Sequence, residues 1–186
     1  EFPNTFFSID TYNSEVAKMS LDLGVSMIND ISGGDLDPNM YSIVSSYKVP
    51  YIMMHMKGIP KTMQINPNYN DIVSEIIFCF SDKIKKARLS GIHDVLIDPG
   101  FGFGKNINHN FSLLKNLSLF DALKCPLVVG VSRKSMIYKT LGCSPEQALN
   151  GTSVLNTLSL DRGAKILRVH DVKEAKECVS LWKMLH

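Results

Sequence analysis

The chain has 186 residues, of which 45% are hydrophobic and 20% charged, a composition typical of a single globular domain with a sizeable core. Its formal net charge of +2 is spread over both signs without a basic run, which argues against a dedicated nucleic-acid binder. No apolar run approaches the roughly 20 residues of a membrane span. The four cysteines form no Cys-x-x-Cys pair, so we expect reduced thiols in a cytoplasmic protein.

Six short apolar runs recur along the chain and are predicted to be β-strands. They are continuous rather than alternating, which is typical of strands buried on both faces of a parallel sheet. In chain order they are Thr5–Ile9, Val25–Ile28, Val49–Met54, Asp94–Ile97, Pro126–Val131 and Lys165–Val169.

Helical patterns lie between these runs, and residues that favour helix ends mark where they begin. The longest covers Asp71–Leu89 and is followed by Gly91. Two others have the spacing of a capping box, in which the first side chain bonds the helix start. The predicted starts, in chain order, are Asn13-Ser14, Asp37-Pro38, Asp71, a point near Asn110, Ser144-Pro145 and Asp171-Val172.

Strict alternation of strands and helices predicts a parallel sheet, which is either an open doubly wound sheet or a (β/α)₈ barrel. An open sheet usually concentrates its site at one switch point, whereas a barrel draws on many strand ends. Here every predicted strand ends in polar residues, which favours a (β/α)₈ TIM barrel. Only six strands are visible, so about two more units of roughly 30 residues each would be needed.

Three strand ends carry hydrogen-bonding acids or amides: Asp10, Asn29 and Asp98. A carboxylate can accept two N–H bonds side by side, so this set fits the donor-rich edge of a polar heterocycle. The alternative is that each residue caps a helix or ties down a loop.

Lys134, Arg168 and His170 follow two other strands and would offer positive charge to an anionic group. The alternative is a set of solvated surface charges. His55 fits a structural role as well as a catalytic one. Met54 is expected to face the barrel axis, where its thioether could contact a flat aromatic ligand.

The glycine-rich stretch LIDPGFGFGK, residues 96–105, has the appearance of a phosphate loop but fails both known patterns. Asn106 stands where a P-loop needs Ser or Thr, and Lys105 stands where the dinucleotide fingerprint needs glycine. The three glycines are instead expected to turn the chain sharply after Asp98. That turn would leave Phe103 free to wall a pocket.

Six motifs in a fixed order resemble the dihydropteroate synthase family of pterin-binding enzymes, over essentially all 186 residues. They are SIDTYNSEVA (8–17), MINDISGG (27–34), YIMMHMKGIPKTMQ (51–64), LIDPGFGFGK (96–105), VGVSRKSM (129–136) and ILRVHDVKEA (166–175). The resemblance implies a (β/α)₈ barrel that joins 4-aminobenzoate to 6-hydroxymethyl-7,8-dihydropterin diphosphate and releases diphosphate. It also implies Mg²⁺ as cofactor and a homodimer when complete.

The resemblance also assigns site residues position by position. Arg168 and His170 would hold the diphosphate, and Ser135 would help seat the aminobenzoate. Asp10, Lys134 and Arg168 are the implied catalytic residues, with Asp10 facing the positive charge that develops on the pterin. The implied pterin pocket comprises Asp10, Asn29, Ile31, Met54, Asp98, Phe103, Gly130 and Lys134.

The sequence departs from the family pattern at its beginning. The family's first strand carries an Asn-Val-Thr-Pro-Asp-Ser-Phe-type motif, whose asparagine helps hold Mg²⁺, and its second strand carries a Ser-Thr-Arg-Pro loop; neither motif is present. The chain is therefore expected to carry the third to eighth units as one partial-barrel, pterin-binding domain over residues 1–186, without a magnesium ligand of its own.

Two other functions remain in contention. A methyltetrahydrofolate-binding methyltransferase barrel uses a similar acid-asparagine-acid pocket, but it has no diphosphate for the Ser-Arg-Lys-Ser and Arg-Val-His-Asp motifs to hold. A non-catalytic or inactive pterin-binding fragment is the alternative from a different class. All three candidate functions imply small-molecule ligands, with no nucleic acid and no membrane as partner.

Overall fold

The computed structural model describes residues 5–186, which form one six-stranded parallel sheet with helices on one face. The strands lie side by side in chain order, and each neighbouring pair is parallel. Their bounds are β1 Ser8–Asp10, β2 Met27–Asp30, β3 Tyr51–Met54, β4 Val95–Asp98, β5 Leu127–Val129 and β6 Ala164–Leu167. All six predicted strands are thereby confirmed, in the predicted order.

The sheet is curled. Arg168, directly after β6, forms an ion pair with Asp10 at the end of β1, although these strands lie at opposite edges of the sheet. Contact between the two edges requires the sheet to close partly on itself, as part of a barrel does. Within residues 5–186, β1 and β6 each pair with one strand only, so the described chain forms a six-stranded curled sheet with the shape of a half-barrel.

Seven α-helices and two short 3₁₀ helices connect and follow the strands. The α-helices are α1 Ser14–Asp22, α2 Met40–Tyr47, α3 Ile72–Leu89, α4 Ile107–Lys115, α5 Ser135–Leu141, α6 Leu149–Asp161 and α7 Val172–Lys183. The 3₁₀ helices cover Leu117–Leu123 and Pro145–Gln147. No helix of the described part of the chain is long and apolar enough to cross a membrane.

Two of the predicted helix starts are confirmed in detail. Asn13 accepts a hydrogen bond from the backbone N–H of Val16, and Asp71 accepts from two N–H groups of the first turn of α3. These bonds satisfy donors that the first turn of a helix leaves free.

Three other starts differ from the prediction. Helix α4 begins at Ile107 because Asn106 and His109 form a reciprocal capping box, which places Asn110 inside the helix. Helix α2 begins at Met40, since the Asp37 side chain bonds the loop N–H of Asn39 and the N–H of Ser14 instead. The capping box at Ser144 is present but caps only the 3₁₀ turn before α6.

Side chains of the strands alternate between two faces, as the pleat requires. The helix-facing set belongs to the main core and includes Ile28, Tyr51, Met53, Ile97 and Val129. A small cluster on the concave face consists of Met27, Ile52, Leu96 and Val128. The residue two positions after each member of this cluster lies on the same concave face, at its carboxyl-terminal end. These residues are Asn29, Met54, Asp98 and Gly130.

Candidate active site

Asp10 and Asn29 form the first pair at the carboxyl ends of the strands. They are register partners in β1 and β2, and Asn29 Nδ2 donates to Asp10 Oδ1 over 2.7 Å. The second oxygen of Asp10 accepts from the Arg168 guanidinium. Asn29 is 6% exposed, whereas the side chains of Asp10 and Arg168 are 47% and 53% exposed. Asp10 therefore contacts the buried amide of Asn29 through one oxygen and the half-exposed guanidinium of Arg168 through the other.

Asp98 ends β4 beside Met54, its register partner in β3. Its Oδ1 accepts from the N–H of Gly100 over 2.8 Å, and the side chain is buried. Burial raises the pKa of this carboxyl, and the nearby Lys134 ammonium opposes that rise. When it is ionised, a buried carboxyl group with one backbone partner and a nearby cation is suited to bind a polar ligand.

Lys134 lies close to Asp98 and to the glycine-rich turn. Its Nζ donates to the carbonyl of Phe101 and lies 5.0 Å from the centre of the Phe103 ring. Burial lowers the pKa of Lys134 to about 8, although Asp98 raises it. A methyl group at Gly130 would make ordinary contacts of 3.6 Å with Arg168 and 4.0 Å with Lys134 Nζ, so Gly130 lies between these two cations.

The glycine-rich turn has the shape expected from the sequence. Gly100, Gly102 and Gly104 have φ angles of +71°, +82° and +62°, which glycine adopts without strain. Phe101 is fully buried in the core, whereas Phe103 is half-buried beside Lys134. The turn thus holds an aromatic ring at the mouth.

The remaining predicted residues lie around this centre. His170 is exposed and bonds Ser132 through its backbone N–H, at 3.2 Å, and through Nδ1, at 2.9 Å. Ile31 is half-buried in the turn after β2. Ser135 opens α5 and faces a neighbouring polar depression, which is lined by Gln64, Lys105, Asn106, Ile107, Asn108 and Lys139. The structure therefore gathers Asp10, Asn29, Asp98, Lys134 and Arg168, with Ser135 at a separate depression.

Asp30, also polar and at the end of β2, has a structural role. It is fully buried and accepts from the N–H groups of Ser32 and Gly34 and from the Tyr51 hydroxyl, at 2.7 to 2.9 Å. It belongs to the helix-facing side of the strand, opposite Asn29. Asp30 thus ties down the loop after β2.

Arg133 and Asp171 form an ion pair that the sequence did not indicate. Arg133 Nε and Nη2 each lie 2.9 Å from a carboxylate oxygen of Asp171, and Nη1 donates to the carbonyl groups of Pro145 and Glu146. Asp171 was expected to cap α7, but its side chain makes no capping bond because Arg133 binds both oxygens. The pair fixes the two loops that carry Lys134 and His170.

This ion pair predicts a measurable pH effect. The hydrogen bond from Arg133 lowers the pKa of Asp171, so its stabilisation is full above the ordinary Asp pKa of about 4 and is lost as pH falls through the lower folded value. Asp171→Asn should therefore lower the melting temperature at pH 7, and the deficit should shrink at pH 3. Glu177→Gln, on the same helix with its carboxylate 60% exposed, is the control and should change neither value. An equal deficit for Asp171→Asn at both pH values would contradict the assignment.

The next feature is the set of side chains that could bind a cation. Within residues 5–186, no group of three or more His, Cys, Asp or Glu side chains is arranged to hold a metal ion. The described residues therefore do not by themselves fit Mg²⁺.

These features, together with comparison of the chain with known proteins, identify its family. A family model described as pterin binding enzyme matches residues 1–170, and the chain belongs to that family. The resemblance seen in the motifs is thereby confirmed, and the relatives are dihydropteroate synthases. That of Escherichia coli K12 is 41% identical over 176 residues, which are 94% of this chain and 62% of the relative. That of Synechocystis is 38% identical over 183 residues, 95% of this chain and 63% of the relative.

Solved structures agree with this grouping. The Yersinia pestis dihydropteroate synthase, in complex with a sulfonamide drug, superposes with a TM-score of 0.95 at 37% identity over 98% of this chain and 67% of that one. The Thermus thermophilus enzyme in complex with 6HMPPP has a TM-score of 0.94 at 35% identity, over 97% of this chain and 72% of that one. The chain thus spans just over three fifths of the length of the first curated relatives.

Proposed function

We propose that this chain is the pterin-binding part of a dihydropteroate synthase, which joins 6-hydroxymethyl-7,8-dihydropterin diphosphate to 4-aminobenzoate. The observation that carries the proposal is the cluster of Asp10, Asn29 and Asp98 on the concave face, flanked by Lys134 and Arg168. Acceptors for a heterocycle and cations for an anion stand side by side there. The names of the relatives support the same conclusion.

In the proposed complex, the pterin lies across the concave face. Asp98 accepts from the N–H groups at the ring edge, and Asn29 adds a further polar contact. Met54, Ile31 and Phe103 supply apolar surface for the flat ring, and Gly130 leaves room for it. Burial of Asp98 and Asn29 supports this arrangement, since a charge-assisted hydrogen bond is stronger where water is excluded.

The proposed reaction is a substitution at the pterin methylene carbon. The amine nitrogen of 4-aminobenzoate forms the new C–N bond while the C–O bond to diphosphate breaks, and diphosphate leaves with the electron pair. The amine then loses a proton. Arg168, Lys134 and His170 neutralise the departing diphosphate, and the Asp10 carboxylate faces the positive charge that develops on the pterin.

Further parts of the proposal rest on the resemblance. The aminobenzoate would be seated near Ser135, at the polar depression beside the pterin site. Mg²⁺ would accompany the diphosphate, since magnesium commonly binds substrate phosphates. We also propose that residues 1–186 form one pterin-binding domain of a homodimeric (β/α)₈ barrel in the cytoplasm.

The test is an assay of the full-length protein that carries this chain. With both substrates, dihydropteroate and diphosphate should form in equal amounts, as measured by chromatography and a diphosphate assay. Omission of 4-aminobenzoate should abolish both products. Methyl transfer from methyltetrahydrofolate, with no dihydropteroate formed, would instead favour the methyltransferase alternative. Pterin binding without either reaction would favour a non-catalytic pterin-binding protein.

A further inference from the structure

Lys105 is a buried lysine at the end of the glycine-rich turn. It is 4% exposed, and its Nζ lies 2.9 Å from the carbonyl oxygens of Gly100 and Phe103 and 3.3 Å from that of His55. A fourth contact, of 3.1 Å, joins Nζ to His55 Nδ1. Burial lowers the pKa of Lys105 to about 7, although the Asp98 charge raises it. Because a buried ammonium group is costly unless its hydrogens are bonded, these acceptors hold the charged form of Lys105 at and below neutral pH.

Lys105 is linked to Asp98 through a single residue. Gly100 donates its N–H to Asp98 Oδ1 over 2.8 Å, and its carbonyl accepts from Lys105. A side chain at position 100 would collide with the His55 carbonyl, which Lys105 also contacts. Lys105 therefore clamps the end of β3 and the turn after β4 together, at the residue that orients the Asp98 carboxylate.

His55 completes the clamp as a neutral acceptor. Burial, with a further contribution from the Lys105 charge, lowers the pKa of His55 to about 3. When Lys105 carries its ammonium charge it can only donate, so Nδ1 of the neutral imidazole accepts and the ring proton lies on Nε2. His55 therefore contacts Lys105 through both its ring and its backbone carbonyl, and this supports a structural role for it in the turn.

We propose that Lys105 is a positioning residue for pterin recognition, which holds Gly100 so that Asp98 presents an ionised carboxylate to the ligand. This inference rests on the function proposed above. It assigns Lys105 no contact with the pterin. Its effect has two parts, the geometry of the turn and the positive charge near Asp98.

The charged and titratable groups that face Lys105 determine the direction of the charge effect. They are Asp98 at the end of β4, His55 after β3, Lys134 before α5, Cys79 on α3 and His109 on α4. Among them Asp98 is the anion, and the Lys105 charge lowers its pKa against the rise caused by burial. Loss of the Lys105 charge should therefore raise the pKa of Asp98, and pterin binding should weaken at a higher pH than in the wild type.

The experiment compares two substitutions in the full-length protein, with 6-hydroxymethylpterin as the probe in calorimetric titrations from pH 5 to pH 9. Lys105→Gln keeps N–H donors for the carbonyl groups but removes the charge. Lys105→Met removes both. Lys85→Met is the control, because Lys85 is exposed near the carboxyl end of α3, at the far end of the sheet from the site.

We expect Lys105→Met to weaken binding at pH 7 by about tenfold or more, which corresponds to about 1.4 kcal/mol. In Lys105→Gln the acid limb of the binding curve should move to higher pH, with a smaller loss at pH 8. Lys85→Met should follow the wild-type curve.

Three results would overturn the proposal. One is a folded Lys105→Met protein with wild-type affinity, and another is an unchanged acid limb in Lys105→Gln. The third is that circular dichroism shows neither variant to fold, which would make Lys105 a residue of global stability. If the wild-type protein binds no pterin, the proposed function fails first, and this outcome is distinct from all three.

Discussion

Asp98→Asn in the full-length protein is expected to weaken pterin binding at least about tenfold, because one acceptor oxygen becomes a donor that faces the N–H groups of the ring. A buried polar group left without a partner costs about 1–3 kcal/mol, which sets this scale. The amide oxygen of asparagine can still accept from Gly100, so the turn should keep its shape. The loss would thus report on the ligand rather than on folding. Calorimetry with 6-hydroxymethylpterin measures it directly.

A pH titration adds a second readout to this variant. Since burial raises the pKa of Asp98, wild-type affinity should fall as pH drops through that raised value and the carboxylate takes up a proton. The asparagine variant has no such group and should lack that limb. Asp94→Asn is the matched control, because Asp94 is exposed just before β4, at the opposite end of the same strand. Unchanged affinity in Asp98→Asn would mean that Asp98 only ties down the turn.

The sequence was sufficient to predict the sheet and the inward residues of the mouth. Continuous apolar runs mark strands buried on both faces, and the polar residues that end them collect at one edge of a parallel sheet. Their bounds were less well predicted. The prediction ended β2 and β4 at Ile28 and Ile97, whereas Asn29 and Asp98 belong to the strands. At β5 and β6 the error is the opposite, since these strands end at Val129 and Leu167, before the predicted ends at Val131 and Val169. Apolar character reports burial in the core, whereas the ends of a strand are set by backbone pairing.

The residues that hold the site in place, Lys105 and the Arg133–Asp171 ion pair, could not be predicted in the same way. Lys105 appeared only as a residue that spoils a nucleotide motif, and Asp171 appeared as a helix cap. Both act through partners distant in sequence, since Lys105 reaches His55 across 50 positions and Arg133 reaches Asp171 across 38. Local patterns carry no signal for such contacts. One indication in the sequence was that Lys105 directly follows a stretch of glycines and aromatic residues, a pattern that favours a buried turn.

Arg168→Ala is expected to separate the two halves of the substrate. Arg168 lies at the edge of the mouth, paired with Asp10 and about half exposed, so it can exchange that carboxylate for phosphate oxygens. Hydrogen bonds to charged groups contribute about 1.5–3 kcal/mol, so affinity for the pterin diphosphate should fall roughly ten- to a hundredfold. Affinity for dihydropteroate, which has no diphosphate, should change little. Lys134→Ala should weaken both ligands, because Lys134 also lies beside Asp98 and Phe103.

The control and the probe for Arg168 can be matched closely. Arg162 lies just before β6, at the opposite end of the strand that Arg168 follows, and Arg162→Ala should leave both affinities unchanged. Inorganic diphosphate alone should bind the wild type, and Arg168→Ala should weaken it by the same factor as the pterin diphosphate. If Arg168→Ala instead reduced the affinities for substrate and product equally, the diphosphate would lie elsewhere. The pair of Arg168 with Asp10 would then serve to hold the two edges of the curled sheet together.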